Sequence, residues 1–243
     1  MPDVLSLQVV RDLCSTLQNS GHSCVGFHLD GNGYLRGTYH GTHFAPSTSG
    51  GTKLDELLGS NHGVLAPQER YELAITLTCS LLQLSATPWL DQAWSKTDII
   101  FFKSKGDSIN LDHPYLTREH THPCPPHVTP VLERCDDCVK IGALGIMLLE
   151  ICSGQPIETL IRPDDLGPND QVTVISQLQA ARRWLKNKGV GYGFAFPQAI
   201  KFCLQCFVDP SSCLTDEPLA RAIRERVLEP LDAERTMLLY GPG

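Results

Sequence analysis

The sequence predicts an α+β fold that is mainly helical, with its few strands in the first half of the chain. Three observations predict it. Apolar residues recur at spacings of three and four in separate stretches after residue 66, the period of helices with one buried face. Two β-prone runs, CVGFHLD and YLRGTYHG, are joined by a glycine-rich turn. A further short apolar run, DIIFF at 98–102, is too brief for a buried helix and reads as a strand.

Taken in order, Val4, Leu7, Val10, Leu13 and Leu17 predict a short amphipathic helix over about 4–18, stopped by Asn19, Ser20 and Gly21. The Asp30-Gly31 and Asn32-Gly33 pairs supply the positive φ angles of a hairpin turn, so the two runs flanking them form an antiparallel pair. HFAPSTSGGT, poor in apolar residues, marks a hinge before a short helix at KLDELLGS. This places a boundary between units 1–50 and 51–243. Pro67 suits a first helical turn, and Leu73, Leu77, Leu81 and Leu84 continue that helix until Pro88 forbids it. The segment 113–130, dense in His and Pro, reads as an irregular loop. Helices follow at about 137–153, 172–188, 197–207 and 216–235, the last with Leu219, Ile223, Val227 and Leu231 on one face.

Composition excludes several classes. A formal net charge of -7 and a pI near 5.7 disfavour a broad nucleic-acid footprint, which needs a basic face. The most apolar run, VKIGALGIMLLEIC at 139–152, is shorter than the ~20 residues that span a bilayer and reads as a buried helix. Ten cysteines in a chain of this length, opening MPDVLSLQVV without a basic leader, read as reduced thiols of an intracellular, cytoplasmic protein.

Each chemical motif competes with a plainer reading. His120, His122, Cys124, His127, Cys135 and Cys138 hold enough ligand types for zinc, which takes four. Their spacing matches no finger pattern, and Cys138 opens a helix whose apolar face carries it into the core, so core thiols and surface histidines are preferred. Cys203 and Cys206 share one face of an apolar helix, where packing explains them. GVGYG at 189–193 has the glycines of a phosphate cradle but follows a helix, so Gly189 reads as a C-cap. Asp30, Asn32 and Gly33 hint at a calcium loop whose twelfth position would be Gly41, not an acid. No nucleophile elbow accompanies the Ser, Thr and His of GHS and GTYHGTHF. Arg182, Arg183, Lys186 and Lys188 form a basic patch that reads as a solvated helix face.

The order of elements resembles a protein-kinase large lobe carrying a two-strand remnant of the small lobe. SCVGFHLD and GYLRGTYHG resemble the last two small-lobe strands, the Gly/Ser run the hinge, and TKLDELLGS the helix after it. LAPQERYELAITLTCSLLQL is similar to the helix before the catalytic loop, IGALGIMLLEICSGQPIETL to the central buried helix, and AIKFCLQCFVDP to a late helix. TPWLDQAWSKTDIIFF, the PYL at 114–116, ARRWL and VLEPL resemble more narrowly a family of fungal kinase-like domains of unknown function, found in proteins linked to signalling.

The resemblance implies a degenerate site. Asp98 takes the position of a metal-binding asparagine, and the His-Arg-Asp triplet falls on Asp91, Gln92 and Ala93, which removes the catalytic acid. Asp112, His113 and Pro114 fall near the magnesium-binding Asp-Phe-Gly, and Lys140 replaces the acid that braces the loop. Cys213 replaces an arginine. The chain before CVGFHLD leaves no room for a glycine-rich phosphate lid or a strand lysine. Because this chemistry rests on positioning and charge stabilisation, the resemblance implies a non-catalytic pseudokinase module without a cofactor, acting through a protein partner or adjacent domain. The alternatives are a nucleotide-binding relative using Asp98 and Asp112, and a zinc-stabilised interaction domain. Trp89 and Trp94 would either plug the space vacated by catalytic side chains or anchor a partner.

Overall fold

The computed structural model describes residues 9–12, 15–16, 19, 25–29, 35–40, 51–59, 65–85, 90, 94–102, 109, 111, 114–117, 136–167, 170–188, 193–208, 214 and 217–241. It divides into two compact units, 1–51 and 52–243. In the first, β1 (Val25–Leu29) and β2 (Leu35–His40) pair antiparallel, from Val25 opposite His40 to Leu29 opposite Leu35. The register slips between Gly26 and His28, where Gly37 takes a φ of 46°. A glycine is suited to that left-handed bulge position. Val9 forms an isolated antiparallel bridge to Arg36, so the helix expected over 4–18 does not include it. Asp12 gives the reason: its carboxylate accepts from the Ser15 N–H at 3.2 Å, capping a turn that starts only after it.

The second unit is mainly helical. β3 (Thr52–Lys53), β4 (Ile99–Phe101) and β5 (Tyr115–Leu116) form a small antiparallel sheet with β4 in the middle. Neither two-residue strand follows from the sequence, in which 52 belongs to the hinge and 115–116 to the irregular loop. They flank the run IIF, whose Ile99 and Phe101 are buried.

Helix α1 (Leu54–Gly59) follows, and α2 (Pro67–Leu84) opens with Pro67 and the Glu69 carboxylate accepting from the Ala66 N–H at 2.7 Å. It ends at Leu84, before Pro88 could have ended it. Helix α3 (Asp136–Ser153) runs through the core, with Ile141, Leu144, Leu148, Leu149 and Ile151 fully buried. Short 3-10 turns at Ile157–Leu160 and Pro163–Asp165 lead to α4 (Val174–Lys188). Thr173 and Ser176 cap α4 reciprocally: the Thr173 N–H donates to Ser176 Oγ at 3.1 Å and the Ser176 N–H to Thr173 Oγ1 at 3.2 Å.

Helix α5 (Ala195–Val208) packs most extensively against α3. Glycines on α3 permit the approach: a Cβ built at Gly142 would lie 2.6 Å from the Phe207 ring, and one at Gly145 2.8 Å from Cys203 Cβ. The chain closes with α6 (Glu217–Ile223), a π-helical turn over Arg224–Leu228, and α7 (Glu229–Tyr240), beyond the expected end at 235. Pro230 has no N–H for an α-helical bond and its ring crowds the preceding turn, which the wider π turn relieves. Ile223, Val227 and Leu231, four residues apart, are all fully buried. An α-helix would let such a repeat drift by about 40° per step, and the π turn holds it in line.

Candidate functional site

The segment 94–98 joins a buried tryptophan to a capped turn. Trp94 is 4% exposed and its indole N–H donates to the Lys140 carbonyl at 3.1 Å. Its ring is therefore part of the core and not a surface anchor. Ser95 caps the 3-10 turn Lys96–Asp98, and Asp98 returns the bond, its Oδ2 accepting from the Ser95 N–H at 2.8 Å. The Asp98 carbonyl accepts from the Thr117 N–H at 2.8 Å, tying this turn to the end of β5.

Between these residues, Lys96 enters the protein. Its ammonium donates to Glu150 Oε1 of α3 and to Glu158 Oε2 of the following 3-10 turn, each at 2.6 Å. Glu150 Oε1 also accepts from the Ile157 N–H at 2.8 Å. Burial alone would push the ammonium pKa down, but the bonds to Glu150 and Glu158 outweigh it and hold the group above its ordinary value. Burial pushes the Glu150 carboxyl up, against the Ile157 N–H and Lys96, which act to lower it. The result is a charged brace between loop, central helix and following turn. It forms one wall of a cleft of about 300 Å³, whose apolar surface includes Trp94, Val139, Met147 and Phe207.

Lys140, which the resemblance reads as replacing a bracing acid, holds Trp94 through its main-chain carbonyl, while its ammonium pairs with Asp137 Oδ1 at 3.3 Å. Asp137 Oδ2 accepts from the Leu214 N–H at 2.8 Å.

A second cavity, of about 480 Å³, lies among α2, α3, α5 and α7 and is lined by Arg70, Tyr71, Cys152, Phe196, Glu234 and Met237. Glu234 Oε2 accepts from the Tyr71 hydroxyl at 2.8 Å and Oε1 from the Phe194 N–H at 2.5 Å. Arg70 Nη1 donates to the Cys152 carbonyl at 2.7 Å. Burial raises the Tyr71 hydroxyl pKa, with Glu234 adding to it, and pushes the Cys152 thiol up to about 12. That thiol is a packing group and a poor nucleophile.

Of the residues singled out from sequence, Asp91, Gln92, Ala93, Trp89, Asp112, His113, His120, His122, Cys124, His127 and Cys135 lie outside the described residues. Cys138 and Cys203 are buried, and Cys206 is half-buried. No group of three metal-ligating side chains occurs among the described residues. Glu150 and Glu158 were not singled out. The available signal was Glu150 as a lone acid in an apolar helical run, since an acid is rarely fully buried unless paired.

No curated protein matches the chain. Among the described residues, no helix is long and apolar enough to cross a membrane. Residues 2–237, nearly the whole chain, match the family described as Domain of unknown function (DUF7580). The chain therefore belongs to this DUF7580 family.

Proposed function

We propose that the protein is a non-catalytic, kinase-like module that acts by binding a protein partner or an adjacent domain. The observation that carries this reading is the engagement of the charged groups at 96 and 98. Lys96 holds two carboxylates at 2.6 Å, and Asp98 caps its own turn by accepting from Ser95. Phosphoryl transfer needs charged groups directed at nucleotide phosphates and a metal ion. Here Lys96 joins the loop to the central helix, and Asp98 closes the loop's own turn. Trp94 is buried beside them and fixes the loop to the Lys140 carbonyl.

The test is a thermal-shift titration with ATP and magnesium, run beside a phosphotransfer assay on a generic protein substrate. The expected result is an unchanged unfolding temperature and no transferred phosphate. A nucleotide at 100 times its Kd would stabilise the fold by ~2.7 kcal/mol, and a shift of that order would overturn the reading.

A further inference from the structure

Residues 171–208 carry five cations, Arg182, Arg183, Lys186, Lys188 and Lys201, and no Asp or Glu, in a chain with a formal net charge of -7. The structure separates these cations by role. Arg183 turns inward and grips Asp165, with Nη1 to Oδ1 and Nη2 to Oδ2 both at 2.6 Å, while Nη2 also donates to the Leu160 carbonyl. Arg182 and Lys186, one turn apart on α4, are exposed, and so is Lys201 of α5. Together they surround a groove of about 470 Å³ between α4 and α5, whose remaining lining is Leu185, Leu204 and Gln205. Among the described residues, none of these three cations makes a hydrogen bond or ion pair.

This arrangement differs from a solvated helix face. Cations from two helices converge on one concavity, and its apolar wall includes the half-buried Leu185 and the buried Leu204. An adjoining groove shares Lys201 and Gln205 and contains Glu225, which is accompanied by Arg226. Arg226 in turn lies 5.5 Å over the Phe202 ring. The local field is thus positive on a chain of opposite overall sign. We infer that the α4–α5 groove docks an acidic protein segment, its carboxylates or phosphorylated side chains meeting Arg182, Lys186 and Lys201 and an apolar side chain meeting Leu185 and Leu204. Charge complementarity selects the acidic partner, and the apolar wall favours a peptide over a free anion. The net charge of -7 opposes nucleic acid and anionic lipid, which demand a broad basic face.

This inference names a partner chemistry for the proposed binding role, but it rests on different residues, so a nucleotide shift would overturn that role and leave the groove standing. The experiment is fluorescence anisotropy on the full chain with a short labelled peptide of Asp and Glu around one Leu. The comparison peptides replace the acids by Asn and Gln, or the Leu by Ser. The acidic peptide is expected to bind saturably, more weakly as salt rises, and more tightly than either comparison peptide. The triple variant Arg182→Glu, Lys186→Glu, Lys201→Glu should weaken binding at least roughly tenfold, whereas Lys53→Glu should not. All three positions are exposed, and an unchanged circular-dichroism melt of the variant ties the loss to the groove. Absence of saturable binding, an equal loss in Lys53→Glu, or preferential binding to vesicles of anionic phospholipid would overturn the inference.

Discussion

Glu150 is 1% exposed in the apolar helix that runs through the core, and Lys96, with a side chain 14% exposed, is the cation that makes this tolerable. Breaking such a pair costs more than removing it, because the remaining charge is left without compensation. Lys96→Met should therefore lower stability by ~3–5 kcal/mol, measured as a shift in urea midpoint. Lys96→Met combined with Glu150→Met should recover most of that loss. If the double variant is no more stable than the single one, the brace has some role beyond neutralising Glu150. The sequence shows this acid but not its partner. Lys96 and Glu150 are 54 residues apart, and no spacing rule connects positions that only the tertiary fold brings together. Arg183 and Arg182 make the same point: adjacent in sequence, they differ in role because a helix turns by about 100° per residue.

Helices were the legible elements, because three-and-four spacing and punctuation by Pro67 reflect local physics. α2, α3, α4 and α5 each begin and end within a few residues of the expected spans. The two-residue strands β3 and β5 were not legible, since they exist only by pairing with β4. The opening helix does not reach back over Val9 as the periodic pattern predicts, because the cap at Asp12 and the β-branched pair Val9–Val10 oppose it there. Among element contacts, α3 against α5 gives the sharpest test. Gly142→Ala improves helix propensity by ~1 kcal/mol, but its new methyl meets a packed Phe207 ring, and overpacking costs ~1–3 kcal/mol. Net destabilisation is expected in a chemical denaturation curve. The additional substitution Phe207→Leu, which trims the opposing ring, should relieve part of it.

At the scale of the whole molecule, two buried carboxylates give stability opposite dependences on pH. Asp165 is held below its ordinary value by the bidentate bond from Arg183, against the desolvation that would raise it. Its contribution is complete above the usual carboxylate value and is lost as pH falls through the lowered one. Glu150 is held above its ordinary value by burial, so the folded protein keeps a proton that the unfolded chain has released. Its favourable contribution is complete below the ordinary value and declines as pH rises through the raised one. Urea midpoints collected across the acid range should show Asp165→Asn flattening the acid-side loss and Glu150→Gln flattening the decline on the other side. A profile unchanged by both substitutions would mean that neither carboxylate controls acid stability. The chain's end depends on something different, the count of residues in the π turn at Arg224–Leu228. Excising one of them would turn everything downstream by about 100° about the helix axis. Glu234 would then swing away from the Tyr71 hydroxyl and the Phe194 amide, and an insertion would displace it in the opposite sense. This helix should thus bear exchanges of side chain far better than any change in its length.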